Sequence, residues 1–346
     1  MGPFVVSLPS VVSSLWFPAH QRTMATGLSW LCLEGGNALG FIIGPLMVSD
    51  VPRSHNTTDR VTNMTLINST LSEVETEELV SKIRLEVMYF MTLHACLAAL
   101  LALLVLVYYP SRPGDLPSFS AGERREDFLQ GLKSFMTNRS AVLVCIAFSL
   151  SQGVAEAYYP VLDLNFAPIG VGEATAGTIG FTASCVASVT CFLISFWVER
   201  MKGSYKRILV ILLITAFGFF FWQTLIVIDV IQFSEIQLFI STVAGSAVNF
   251  AATPLMLELG SEVAYPVGEG VVSGVMTFFW TLVGIIYLCM FFIKKIGYSW
   301  MNWTMVVALI TSIPFVTGIK ETFNRSEVDN NNDLNYKSES KDDIIQ

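Results

Sequence analysis

Glu86-Val-Met-Tyr-Phe-Met-Thr-Leu-His-Ala-Cys-Leu-Ala-Ala-Leu-Leu-Ala-Leu-Leu-Val-Leu-Val-Tyr-Tyr109 is an almost unbroken apolar run. It is longer than the ~20 residues that a membrane-spanning helix needs. Eight more apolar segments read the same way, at 3–18, 25–48, 140–164, 174–198, 207–229, 235–257, 270–293 and 299–318. A backbone that faces lipid must satisfy its hydrogen bonds within the segment, so these are helices. Alternation at a period of two is absent, which argues against a barrel. Composition agrees: of 346 residues, 53% are hydrophobic and 14% charged, against about 25% charged in soluble domains. The net charge of -8 leaves no basic footprint for nucleic acid. The fold class is an all-α polytopic membrane protein with about nine transmembrane helices, whose first partner is the lipid bilayer.

Basic residues orient the chain. With the turn after the first segment on the cytoplasmic side, cytoplasmic regions hold 14 Lys and Arg and the opposite side holds 6, as the positive-inside rule requires. The polar loop 50–85 then falls on the lumenal side. It carries three sequons, at Asn56, Asn63 and Asn68, and is predicted to be glycosylated. Residues 110–139 form a Pro- and Gly-containing cytoplasmic linker that ends in an amphipathic stretch (Phe128, Leu129, Leu132, Phe135) expected on the membrane surface. The linker separates a three-helix part, 1–109, from a six-helix part, 140–318. The tail 319–346 is polar and predicted to be disordered. All six cysteines lie in apolar runs and read as buried small hydrophobes rather than disulfides or metal ligands. Residues 1–17 lack the basic start of a signal peptide. The chain opens inside an apolar segment, so its first Met is expected not to begin the complete gene product.

No catalytic motif is present, and the three histidines are too dispersed for a metal cluster; the chain is expected to be no enzyme and to need no cofactor. What remains are polar groups inside apolar helices, which are costly and commonly mark a solute path. Glu34 stands mid-segment in Leu31-Cys-Leu-Glu-Gly-Gly-Asn37, suited to hold a cation or pass a proton. Gln152, Glu156 and Tyr159 share one helix face in Ser151-Gln-Gly-Val-Ala-Glu-Ala-Tyr-Tyr-Pro160. Gly153 and Pro160 can loosen that helix, as helices beside transport sites often are. Tyrosine rings beside a carboxylate, here Tyr158 and Tyr159, suit an organic cation or a flat heteroaromatic ring. Trp280 and Thr281 lie mid-helix and join the substrate-binding candidates. Gly35, Gly36, Gly40, Gly44 and Pro45 give one helix a small face for close packing. The basic turn from Glu199 and Arg200 to Arg207, and the acidic group Glu258, Glu262 and Glu269, are candidates for a cytoplasmic gate latched by ion pairs.

Three helices, a long linker and six helices resemble a major facilitator superfamily transporter that lacks its first three helices, so that the nine segments match helices 4–12. The turn after 198 and Gly40-Phe-Ile-Ile-Gly44-Pro45 resemble that superfamily's loop and fifth-helix signatures. Trp16-Phe-Pro-Ala-His-Gln-Arg-Thr-Met-Ala-Thr26, Glu258-Leu-Gly-Ser-Glu262 and Tyr265-Pro-Val-Gly-Glu-Gly270 resemble solute carrier family 49, the feline leukaemia virus subgroup C receptor-related group. Val161-Leu-Asp-Leu164, Ile179-Gly-Phe181 and Ser299-Trp-Met-Asn-Trp303 are most similar to its lysosomal branch. The resemblance implies alternating access and proton-coupled movement of pyridoxine across the lysosomal membrane, with the plasma membrane as the other location. Choline, ethanolamine or haem are the family's other cargoes. A non-transporting membrane scaffold is the reading from another class. The resemblance matches a cavity aromatic to Tyr158 and puts Glu34 and Thr281 where choline-carrying relatives have glutamines. It implies Glu34 and Tyr158 as substrate contacts and Glu156, with Glu34, as the proton carrier.

Overall fold

A computed structural model describes residues 2–47, 73–108, 127–200, 205–293 and 297–328. The described residues are helical throughout, joined by short turns. All nine apolar segments are helices: α1 (Gly2–Trp16), α2 (Arg22–Met47), α3 (Glu73–Tyr108), α5 (Arg139–Tyr158), α7 (Glu173–Arg200), α8 (Tyr205–Val227), α9 (Glu235–Ala264), α10 (Glu269–Cys289) and α11 (Ser299–Gly318). Two shorter helices are α4 (Phe128–Thr137) and α6 (Leu162–Phe166). Among the described residues, seven helices are long and apolar enough to cross a membrane. α1 has only 15 residues, and α2 interrupts its apolar run with Arg22, Glu34 and several small polar residues.

The chain divides into two compact units, residues 1–38 with 112–346, and residues 39–111. In the first unit α9 is the central helix. It lies between α7 and α8 and also touches α5, while α10 and α11 flank α5 and α1 lies along α10. The sequence of α9 explains its place. Ser241, Thr242, Gly245, Ser246, Ala247, Ala251 and Ala252 are small, and all are buried. Lipid tails are as apolar as leucine, so helices in a bilayer associate through close van der Waals packing, which small residues permit. The same logic fixes Gly153 of α5: a Cβ there would stand 2.7 Å from the Trp280 carbonyl oxygen and 2.9 Å from Val283 Cβ of α10. Gly153 is therefore a contact point between helices, not the loose joint expected from sequence. The break comes at Pro160, where α5 gives way to the 3-10 turn Tyr159–Val161, because proline offers no N–H for the helix to continue.

Several boundaries differ from the sequence reading. α3 begins at Glu73, so part of the polar stretch 50–85 is helix. Its helical part from Glu73 carries four Glu and two Leu, strong helix formers, and a helix need not stop where its apolar part does. The three sequon asparagines lie outside the described residues. α9 runs to Ala264 and includes Glu258 and Glu262, which sequence reading had placed in a turn. In the linker, α4 turns Gly131 and Phe135 inward against α10 and α5, and leaves Phe128 and Leu129 exposed. Asn138 then caps α5, accepting from the Ser140 and Ala141 N–H groups and donating to the Val263 carbonyl. This ties the start of α5 to the end of α9. The tail is ordered at its start: Ser326 to Val328 lie in a helical turn that begins at Asn324, and Arg325 is fully buried.

Candidate functional site

One face of α2 presents Trp30 and Glu34, one turn apart. Glu34 is 3% exposed. Its Oε2 takes only a long 3.5 Å contact from Asn37, and its Oε1 has no hydrogen-bond partner among the described residues. Opposite stands Trp280 of α10, its ring 6.4 Å from that of Trp30 at 57°. Phe148 of α5 meets the other side of Trp280 at 6.0 Å. Both indole N–H groups, of Trp30 and Trp280, are buried without acceptors. Glu156 of α5 is exposed. It lies close enough to Glu34 for the two charges to interact. Tyr159 lies near both carboxylates, and Cys191 of α7 lies near Glu34. Among the described residues neither Glu34 nor Glu156 has an ion-pair partner. Two interacting carboxylates, two aromatic faces and two unsatisfied indole donors thus converge. Burying the Glu34 oxygen and the two indole N–H groups without partners is costly, so the arrangement is fit to receive a ligand that supplies a positive charge or a proton to the carboxylates and an acceptor to the indoles.

Other candidates are bound up in structure. Gln152, 1% exposed, donates to the Asn249 carbonyl at 3.2 Å and accepts from Thr253 Oγ1 at 3.0 Å. Both ends of its amide are used to join α5 to α9. Thr281 donates back to Thr277 O of its own helix. Tyr158 does not join the aromatic face. Its hydroxyl donates to Asn302 Oδ1 at 2.8 Å and accepts from Asn165 Nδ2 at 2.6 Å and Gln223 Nε2 at 2.7 Å. Its ring packs on Phe220 and Tyr159. A hydroxyl so fully engaged, on a residue 1% exposed, is a bolt between α5, α6, α8 and α11. The ring nearer the carboxylates is Tyr159, whose hydroxyl donates to Ser246.

The acidic group has a partner that sequence reading did not give it. Arg325 Nη2 reaches Glu258 Oε2 at 2.7 Å, its Nε donates to Glu262 Oε1 at 3.1 Å, and its Nη1 lies 3.6 Å from Glu269. Burial opposes the Arg325 charge, but the three carboxylates outweigh it and hold the guanidinium above its ordinary range. Glu258 also accepts from Thr26 Oγ1 of α2 at 3.0 Å and sits 3.5 Å from Ser13 Oγ of α1. The side chains of Glu199 and Arg200 lie outside those described. Other contacts close the same end: Thr23 pairs with Tyr205 at 2.8 Å, and a Cβ on Gly27 would stand 2.6 Å from Ser195 of α7. The small face of α2 has no such neighbour at Gly35 and Gly36, where an added Cβ would meet open space. Gly40 falls in the second unit, and the side chain of Pro45, with Gly44, is outside those described.

Sequence reasoning missed Trp30, Asn249, the Tyr158 bolt and Arg325. Trp30 carried a signal, being four residues before Glu34. Arg325 carried little, standing in a polar tail that gives no hint of burial.

Comparison with known proteins agrees with this architecture. Residues 1–288 match the family model of the Major Facilitator Superfamily. A solute carrier family 49 member 4 homolog of Xenopus tropicalis is 26% identical over 333 residues, covering 95% of this chain and 69% of that protein. The choline/ethanolamine transporter flvcr2b of Danio rerio is 24% identical over 294 residues, covering 82% of this chain and 54% of that protein. Among solved structures, the fucose:proton symporter FucP of E. coli is similar in fold, with a TM-score of 0.65 at 14% identity, over 91% of this chain and 73% of that one. The chain belongs to the major facilitator superfamily, as a multi-pass membrane transporter akin to solute carrier family 49.

Proposed function

We propose that the protein moves a small organic cation, with pyridoxine as the first candidate, by proton-coupled alternating access across the lysosomal membrane. The observation that carries this reading is the interacting pair Glu34 and Glu156 beside the facing rings of Trp30 and Trp280. A cation held over an indole face gains about 0.5–2 kcal/mol, and a buried carboxylate adds a charge-assisted hydrogen bond. Pyridoxine offers a flat ring for the indoles, hydroxyls for unsatisfied donors, and a pyridine nitrogen that takes a proton in an acidic lumen. Glu34 and Trp30 contact the solute, Trp280 closes over it, and Glu156, open to solvent, exchanges the coupling proton. Choline or ethanolamine is the second reading. The same aromatic pair favours it, and a relative bears that activity in its name.

The test is uptake of labelled pyridoxine and labelled choline into vesicles carrying the protein, at several lumenal pH values. Pyridoxine uptake is expected to rise with the proton gradient. In Glu156→Gln uptake is expected to lose its pH dependence, and unchanged dependence would remove Glu156 from the mechanism. Choline uptake without any pyridoxine uptake would shift the substrate to the second reading.

A further inference from the structure

The cluster around Arg325 includes a serine in an unusual position. Ser326 donates its hydroxyl to Glu262 Oε1 at 2.8 Å and its backbone N–H to Glu262 Oε2 at 3.1 Å. It is half-buried, and Glu327 beside it is exposed. Through Glu262 and Glu258 this short segment is tied to the end of α9, and through Glu258 to Thr26 of α2. Further contacts hold the approach to it: Glu321 accepts from the Lys206 N–H, and Phe323 packs on Tyr205. After Ser326 the sequence runs Glu327-Val-Asp-Asn-Asn-Asn-Asp333. A serine followed at once and at the third place by carboxylates is chemistry that a protein kinase with a basic recognition groove can read.

We propose that Ser326 is a phosphorylation site for an acid-directed protein kinase, and that phosphate there frees the tail from Glu258 and Glu262. In the transfer, Ser326 Oγ attacks the γ-phosphorus of a nucleoside triphosphate. The Oγ–P bond forms as the bridging bond to the β-phosphate breaks, the nucleoside diphosphate leaves, and the hydroxyl proton passes to the kinase base. The kinase reaches Ser326 when the segment has swung out, because in the closed state the hydroxyl is held on Glu262. Phosphate then opposes return for two reasons. It replaces a hydrogen-bond donor with a group of about -1.5 to -2 charge and acceptor oxygens only, facing a carboxylate. It also competes for the guanidinium of Arg325, its neighbour in sequence, and so takes from Glu258 and Glu262 the cation that neutralises them. The proposal rests on the reading that puts the tail on the cytoplasmic side, where nucleoside triphosphate is found.

The test treats the purified full chain with Mg-ATP and an acid-directed kinase and maps the phosphate by mass spectrometry. Phosphate is expected on Ser326, absent in Ser326→Ala and reduced when Glu327 and Asp329 are both replaced by alanine. Amide hydrogen exchange over 321–328 is expected to quicken on phosphorylation by up to about a thousandfold, the scale set by like charges ~4 Å apart near a protein surface. No phosphate on Ser326, or phosphate with unchanged exchange, overturns the proposal. In sealed vesicles of known orientation, labelling from the face opposite loop 50–85 supports it. Labelling only from the loop's own face overturns it by way of the topology. Neither readout uses transport, so both stand apart from failure of the substrate reading.

Discussion

Replacing Tyr158 by phenylalanine separates a substrate contact from a structural bolt. The ring and its packing on Phe220 and Tyr159 survive; only the hydroxyl goes. Three hydrogen bonds go with it, to Asn302, Asn165 and Gln223, at 2.8, 2.6 and 2.7 Å. Asn165 and Asn302 keep each other, through bonds of 2.6 and 2.9 Å. Gln223 keeps nothing: its Oε1 already lacks a partner, and its Nε2 would lose the tyrosine. A made hydrogen bond is worth about 0.5–1.5 kcal/mol net, and an orphaned buried amide costs about 1–3 kcal/mol. The expected loss of stability is therefore about 2–4 kcal/mol. The assay is thermal unfolding in detergent, paired with uptake kinetics in vesicles. The midpoint is expected to fall by several degrees, with KM changed little. Gln223→Leu added to Tyr158→Phe should restore part of the loss, because it removes the orphaned amide, and the two changes share one network. An unchanged midpoint with a large rise in KM would refute this reasoning and return Tyr158 to the substrate site.

Three further outcomes follow from the same geometry. Arg325→Gln leaves Glu258, Glu262 and Glu269 buried without their cation, a change that costs about 3–5 kcal/mol; thiol-reactive probes should then reach a cysteine placed at Ser13 from the face on which Arg325 lies, and continued protection would show that other contacts hold that end closed. Gly153→Ala pushes a methyl group to 2.7 Å from the Trp280 carbonyl oxygen. Overpacking of this kind costs about 1–3 kcal/mol, to be read as a lowered unfolding midpoint, whereas a flexible joint would tolerate alanine. Trp30→Ala is expected to raise KM for the transported cation about 2- to 30-fold, matching the ~0.5–2 kcal/mol of a cation on an indole face, and Trp30→Phe to recover most of it.

Much of the fold was legible because the bilayer narrows the choices. An apolar run as long as 299–318 has one stable form in lipid, and its helix matches the reading to the residue. Ends were less legible wherever a helix continues past its apolar part, as at Glu73 and Ala264, since hydropathy measures lipid contact and not hydrogen bonding. Glu34 and Glu156 stood out in the sequence by their cost in an apolar helix, and Trp280 by its mid-helix place. Arg325 was not. Its burial depends on three carboxylates more than fifty residues away in sequence, and local composition around it is that of a solvated tail.

The residues of α5 show why cost alone does not find a site. Gln152, Glu156, Tyr158 and Tyr159 are all polar groups in one apolar helix, and from sequence they make a single constellation. In the fold they separate by whether the protein answers them. Gln152 is answered by Asn249 and Thr253, Tyr158 by three amides, and Tyr159 by Ser246. Only Glu156 is left without a hydrogen bond or ion pair among the described residues, and on α2 the same holds for one oxygen of Glu34. A satisfied polar group has already spent its bonding capacity within the protein and gains little from a solute. An unsatisfied one stabilises whatever arrives to complete it. Glu34→Gln is the sharpest consequence. It keeps size and one acceptor oxygen but removes the charge, so the protein should stay folded with its unfolding midpoint unchanged or raised, while uptake of a cationic solute falls by an order of magnitude or more, since hydrogen bonds to charged groups are worth about 1.5–3 kcal/mol. Full uptake by that variant would mean that Glu34 is buried for a reason other than its solute.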